Sequence, residues 1–287
     1  MAAALSSIVT NQNTKSAIMQ ALKSDLGKRT VWVIVEAEDD YNVYLTFMDS
    51  ASTVVKTSEG TGGKCSYANV ESIVTDIKTE VPLTHIFGIR DADYTKYEAA
   101  QHVFPANIFV TDRRDLEMMM LEVESVKQAL TKWAPTYEVA FEKCVPICKH
   151  FGYLRIYNCL NDLDVSFHRH LNTGKYWDYK THDLAANWEE NSTGIFMALA
   201  GKACSPEEFR EFVITHTLDT EDFYDICRGH DLLPLLSKAL IREHIYSVDN
   251  LMLTMSKAYS IDDFKTTHLY ANIKAWQEAE GVIALAA

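Results

Sequence analysis

Apolar positions in the first third of the chain fall in short unbroken runs rather than in alternation. Residues 31–35, Val-Trp-Val-Ile-Val, pass directly into Glu36-Ala-Glu-Asp-Asp40. Residues 84–90 repeat the plan and run into Asp91 and Asp93, and residues 107–110 lead to Asp112, Asp115 and Glu117. Continuous β-branched and aromatic runs of this length describe strands buried on both faces of a parallel sheet. Between them the spacing turns helical. Ile18, Met19, Leu22 and Leu26 share a face over 14–26, which Gly27 is placed to end; Tyr41, Tyr44, Leu45 and Met48 do so over 39–48, and Val70, Ile73, Val74 and Ile77 over 67–79. Val54 and Val55 mark a short strand ahead of Glu59-Gly-Thr-Gly-Gly-Lys64, a glycine turn before a helix N-terminus, where oxyanions bind or the chain simply needs flexible φ. It is not a phosphate loop of the GxxxxGK[ST] kind, because Ser58 and Cys65 stand where Gly and Ser or Thr are needed.

Residues 94–100 suggest a short helix, and 115–130 read as one helix carrying Leu116, Met119, Met120, Val123, Val126 and Leu130. From about residue 138 onward helical spacing dominates, over 140–151 (kinked or divided at Pro146), 161–171, 193–199, 206–217, 221–227, 230–244, 248–255 and 261–281. Ser205-Pro206-Glu207-Glu208 starts one of these with an N-cap Ser and Pro at N1. The expected architecture is an α/β domain with a parallel sheet over 28–122, an N-terminal helix over 1–27 packed on that sheet, and a mainly helical domain over 123–287.

Composition narrows this further. At 287 residues and 47% hydrophobic content the chain can bury a sizeable core. No run of eighteen apolar residues occurs, so no membrane span is expected. The first residues lack a basic and apolar signal pattern, and six scattered cysteines suit free thiols in a reducing cytoplasm. The formal net charge is −13; residues 1–122 carry 11 Lys and Arg against 17 Asp and Glu, and the rest 16 against 23, so neither half is basic. A nucleic-acid substrate therefore needs bound cations, a local basic strip or a partner to attract it.

If the strands are parallel neighbours, Glu36, Asp40, Asp91, Asp93 and Glu117 converge on one rim, with Asp40 one helical turn after Glu36 and Asp91 and Asp93 on the same side of an extended segment. Carboxylates that close require protons or cations among them, and hard oxygen ligands suit Mg²⁺ or Mn²⁺. The implied chemistry is metal-assisted attack of water on a phosphodiester. Lys64, Arg90, Arg113 and Arg114 flank the acids and either clamp phosphates or pair with the surplus carboxylates. His168, Arg169, His170 and His182 lie near the aromatic and basic strip 175–180, which could stack bases or form a partner contact. Cys144, Cys148 and His150 lack a second ligand pair at zinc spacing and read as core or helix surface. Asp231, beside His230, reads as interacting with backbone N–H groups at a helix start rather than as half of a catalytic pair.

Glu36 with Asp40, the Gly63-Lys64 turn, Asp91-x-Asp93 and the 112–117 segment resemble the Toprim domain shared by topoisomerases, primases and OLD-type nucleases. Over 28–122 the closest look is to the DUF4435 group, through V-I-V-E-A-E-D-D-Y-N-V-Y, F-G-I-R-D-A-D-Y and D-R-R-D-L-E-M-M-M, and I-C-R-G-H-D-L-L-P-L-L-S-K-A-L at 226–240 resembles that group's later block. The resemblance implies a Mg²⁺-dependent phosphoryl-transfer site carried by Glu36, Asp91 and Asp93. It further implies a partner, an ABC-type ATPase, in an anti-phage defence system of the PARIS type, with tRNA as the target of a toxic nuclease. The helical half is the candidate for docking on the ATPase and for self-association as a homodimer. One departure is Ala37, where many Toprim proteins have Gly. A DNA endonuclease of the OLD type, a receiver-like signalling module and a non-catalytic interaction subunit are the competing classes.

Overall fold

Five consecutive side chains of β1 (Val31–Val35) are buried, as the unbroken apolar run requires of a central strand. The computed structural model describes residues 14–58, 67–98, 103–167, 171–201, 205–240 and 247–286. They fall into two compact units, one of Met1–Ala92, Val103–Asp112 and Tyr259–Ala287, the other of Asp93–His102 and Arg113–Ala258.

In the first unit β1 pairs in parallel with β2 (Thr53–Thr57) and β3 (Ile86–Arg90), and β3 pairs in parallel with β4 (Ile108–Val110), giving the order β2-β1-β3-β4. Val33 lies opposite Val55 on one side and Phe87 on the other. The chain winds from β1 outward to β2 and then crosses to β3 on the opposite side of β1. The carboxyl ends of β1 and β3 therefore flank the point where the winding reverses, which is where open α/β sheets form a crevice.

Helices α1 (Thr14–Ala21), α2 (Asp25–Arg29), α3 (Glu38–Tyr44) and α4 (Tyr67–Glu80) surround this sheet. Trp32, Ile34, Val54, Ile86 and Ile108 meet Ile18, Leu22, Val70, Ile73, Val74 and Ile77 in one core cluster, each fully buried aliphatic chain stabilising by roughly 1.5–3 kcal/mol. At Gly88 a Cβ would lie 2.5 Å from Val70 Cγ1, so glycine lets α4 sit down on β3. The expected helical domain had included everything from 123 to 287; residues from Tyr259 onward instead cluster with the α/β unit. The C-terminal helix His268–Glu280 sets Trp276 against Phe87 at 4.7 Å, and Leu285 makes an antiparallel bridge to Met48. Sequence spacing could not assign this helix, because its apolar stripe fits a sheet and a bundle equally well.

The second unit holds α5 (Leu116–Glu122), α6 (Glu124–Trp133), α7 (Tyr137–Leu160), a two-stranded ribbon of β5 (Trp177–Asp178) and β6 (Asp183–Leu184), α8 (Trp188–Ala200), α9 (Pro206–Thr215), α10 (Phe223–Ile226), α11 (Gly229–Ala239) and α12 (Val248–Ala258). The single helix expected over 115–130 breaks at Val123, whose extended backbone ends α5 and starts α6. Conversely, α7 runs as one helix through Pro146, where a kink or a division was expected. A proline inside a helix costs about 3 kcal/mol. Burial of Cys144, Ile147, Cys148, Phe151, Leu154 and Ile156 along the same helix outweighs that cost. Residues 161–166 are not helical, with Asp162 and Asp164 at positive φ and Asn158 bracketing Val165. The Ser205 cap is present as a capping box with Glu208. No helix among the described residues is long and apolar enough to cross a membrane.

Candidate functional site

The carboxyl ends of the four strands are tied together by backbone and side-chain bonds. Asp91 N–H donates to Glu36 Oε1 at 3.0 Å, joining the residues that follow β3 and β1. Ser58, just past β2, donates through its hydroxyl to Glu36 O at 3.0 Å and through its N–H to Val35 O at 2.7 Å. Thr111, just past β4, accepts from Ala92 N–H at 2.9 Å. Glu36 and Asp91 are both half-buried, so two carboxyl-bearing residues reach the crevice on rigid strands.

Asp40 does something more local. Its Oδ2 accepts from Ala37 N–H at 2.9 Å, fixing the first turn of α3, where Glu38 and Asp39 also complement the helix dipole. Ala37 itself is exposed and extended, φ −134° and ψ −177°, so an alanine at this position costs no backbone strain. Asp112 accepts from His268 N–H at 2.6 Å and Leu269 N–H at 2.8 Å, capping the C-terminal helix.

Tyr44, in the last turn of α3, was legible only as an inward apolar position. Its ring is 1% exposed and its hydroxyl has no hydrogen-bond partner among the described residues. Burial first, then the charge of Asp40 and more weakly those of Asp91 and Asp112, hold the hydroxyl well above its ordinary pKa. It therefore stays protonated, a buried donor within electrostatic reach of these acids. The i, i+4 spacing from Asp40 to Tyr44 was the available signal.

Of the cations expected to clamp phosphate, three are engaged by the protein's own acids. Arg90 is buried, donates to Glu71 Oε1 at 2.5 Å and to Asp91 O at 3.0 Å, and lies over the Phe104 ring. Arg113 pairs with Glu122 through two nitrogens and reaches Asp225 at 3.3 Å. Arg114 is buried over the Tyr94 ring at 4.2 Å, with Asp93 Oδ1 2.5 Å away. Of the two readings these residues allowed, the structure gives pairing with carboxylates. Lys64, the Gly60–Gly63 turn and His168 to His170 lie outside the described residues.

Asp93 and Glu117 belong to the second unit. The segment after β3 is not extended: Asp93 has φ 51°, so the alternation that was to place it on the side of Asp91 does not operate. Glu117 is buried with Oε1 3.2 Å from His230 Nδ1. Asp115 accepts from Met118 N–H and Gly229 N–H, so it caps both α5 and α11. Asp231, expected to serve backbone N–H groups at the start of α11, instead grips Arg155 through both oxygens at 2.6 and 2.8 Å. In the strip at 175–180, Tyr176 and Trp177 are buried and thus closed to base stacking. Cys144, Cys148 and His150 are buried core residues of α7.

Among the described residues no three His, Cys, Asp or Glu side chains stand grouped as ready metal ligands. The donor set in the first unit is nonetheless of the hard kind, two strand-end carboxyl-bearing residues joined through the Asp91 N–H, which suits a cation that keeps several of its own waters. Compared with models of known families and with curated proteins, the chain matches none.

Proposed function

We propose that the chain is a divalent-metal-dependent endonuclease of the Toprim type, with its reactive site on the rim formed by Glu36 and Asp91. The observation that carries the reading is the bond from Asp91 N–H to Glu36 Oε1 at the sheet's switch point. Glu36 and Asp91 would hold Mg²⁺ or Mn²⁺, which when bound supplies Lewis acidity and a water of lowered pKa. The backbone of Asp91 fixes the Glu36 carboxylate before any ligand arrives, so little side-chain entropy is lost on binding. Asp40 holds α3 in place, and the Tyr44 hydroxyl is a protonated donor close to the acids. The resemblance at 33–44, 87–94 and 112–120 supports a toxic effector role beside an ABC-type ATPase in anti-phage defence, with RNA, and tRNA in particular, as target and a homodimer as the active form. The OLD-type alternative cuts DNA.

The test is incubation of the full chain with Mg²⁺ or Mn²⁺ and either tRNA or plasmid DNA, beside Glu36→Gln and Asp91→Asn, together with sequencing of RNA termini after induction in cells. Cleaved tRNA that disappears in both variants supports the reading. Cleavage by Glu36→Gln at the unsubstituted rate, or none of either substrate by the unsubstituted chain in vitro and in cells, ends it. A phosphoacceptor signalling module is a second reading, favoured by the strand order β2-β1-β3-β4, which receiver-type folds share. Treatment with acetyl phosphate separates the two, since that reading requires an acid-labile aspartyl adduct.

A further inference from the structure

The second unit contains a cavity of about 580 Å³ whose lining residues come from α7, α8 and α9, within the size range of small-molecule sites. Its walls are aromatic. Trp188 and Phe209 both meet the His150 ring edge-on, at 5.4 Å and 5.7 Å between centroids. His150 is 6% exposed, and its one hydrogen-bond partner among the described residues is Thr193, whose hydroxyl lies 3.1 Å from Nε2. Burial lowers the imidazole pKa to about 4, so the ring is neutral at ordinary pH and presents a donor or acceptor without charge. At the edge of the cavity Glu189 and Glu190, exposed in the first turn of α8, offer acceptors. Arg210, exposed on α9, also lines it.

Arg90, Arg113, Arg114 and Arg155 are each held by a carboxylate, whereas Arg210, like Arg29 and Arg228, has no ion-pair partner among the described residues, and of these three Arg210 lines the cavity. An unpaired guanidinium presents a planar fork matched to phosphate oxygens. The Trp188 ring face, carboxylate acceptors and that fork describe the three parts of one ligand: a flat heteroaromatic ring, its ring N–H or amino donors and an anionic group.

We infer that this cavity binds a purine mononucleotide, with the base on the half-buried Trp188 ring and the phosphate at the mouth on Arg210. Ring stacking supplies the inward part of the affinity, and Glu189 or Glu190 accepts from the base. The site lies wholly within the second unit and does not depend on the acidic rim of the first.

Calorimetric titration of AMP and GMP into the full chain tests this, with guanosine, adenosine and ribose 5-phosphate as separate probes. At least one mononucleotide should bind at submillimolar concentration, its nucleoside about ten-fold more weakly or worse, and ribose 5-phosphate not measurably. Arg210→Gln, a surface change, should reduce nucleotide affinity to about that of the nucleoside. Trp188→Leu should weaken nucleotide and nucleoside alike, and circular dichroism checks its fold. No binding of either nucleotide up to several millimolar, equal binding by Arg210→Gln, or ribose 5-phosphate binding as tightly as the nucleotide each overturns the inference.

Discussion

Two glycines inside helices of the second unit should respond to the same substitution with opposite signs. At Gly152 in α7 a Cβ would stand 2.4 Å from Ile226 Cγ2 and 2.6 Å from Ile226 O, while at Gly194 in α8 nothing lies within 4 Å. Alanine at either position gains about 1 kcal/mol of helix propensity over glycine. At Gly194 that gain stands alone, so Gly194→Ala should stabilise by about 0.5–1 kcal/mol. At Gly152 the obstacle includes a backbone carbonyl, which cannot rotate away, so α10 must shift bodily to restore ordinary contact. Overpacking of this kind costs about 1–3 kcal/mol, occasionally more. With a backbone atom among the contacts the upper end applies, and the net effect should be a loss of about 2 kcal/mol. Urea unfolding followed by circular dichroism reads both, because both residues lie in the same unit. Gly152→Ala should lower the midpoint and Gly194→Ala raise it, with unchanged slopes. A Gly152→Ala protein as stable as the unsubstituted chain would refute the close approach of α7 and α10.

The pair of Arg155 with the buried Asp231 should be costly to break, and Arg155→Met, which strands the acid, should destabilise by about 3–5 kcal/mol in the same urea assay. Ser205→Ala should cost about 1 kcal/mol through loss of the α9 cap, read as a lower thermal midpoint. Tyr44→Phe removes an orphaned hydroxyl and should leave stability unchanged or raise it by about 1 kcal/mol; a marked loss would mean the hydroxyl has a partner in the folded protein. Stability of the second unit should fall as pH rises from about 5 to 8. Burial, with the Glu117 charge added, pushes Asp115 up to about 7, so the contribution of its protonated form is lost as pH climbs through that value. His230, raised above 6.5 by its bond to Glu117, loses its share as pH passes its folded pKa, and His230→Gln should flatten that upper part of the profile.

The sheet was legible because buried parallel strands leave an unmistakable mark: Val31–Val35 and Ile86–Arg90 are apolar runs that end in acid. Meeting of Glu36 with Asp91 follows from the same mark once the strands are neighbours. Asp93 was misplaced because alternation was extended past the last strand residue into a turn with positive φ. The arginines escaped a single reading since a guanidinium's partner is chosen by tertiary proximity, as Glu71 is for Arg90 from nineteen residues away. Pro146 misled in the other direction, its local penalty being smaller than the burial gained by the continuous helix. Nothing in the spacing marked His150 as the floor of a cavity, because α8 and α9, which complete it, begin 38 and 56 residues further along the chain.

The central claim is that Glu36 and Asp91 form a site for a hard divalent cation, and titration calorimetry with Mn²⁺ addresses it most directly. The unsubstituted chain should bind Mn²⁺ at millimolar concentration or tighter. Glu36→Gln, which keeps an oxygen acceptor for Asp91 N–H and hence the fold, should weaken that binding by about 100-fold or more. Binding that is absent in the unsubstituted chain, or undiminished in Glu36→Gln, would contradict the account.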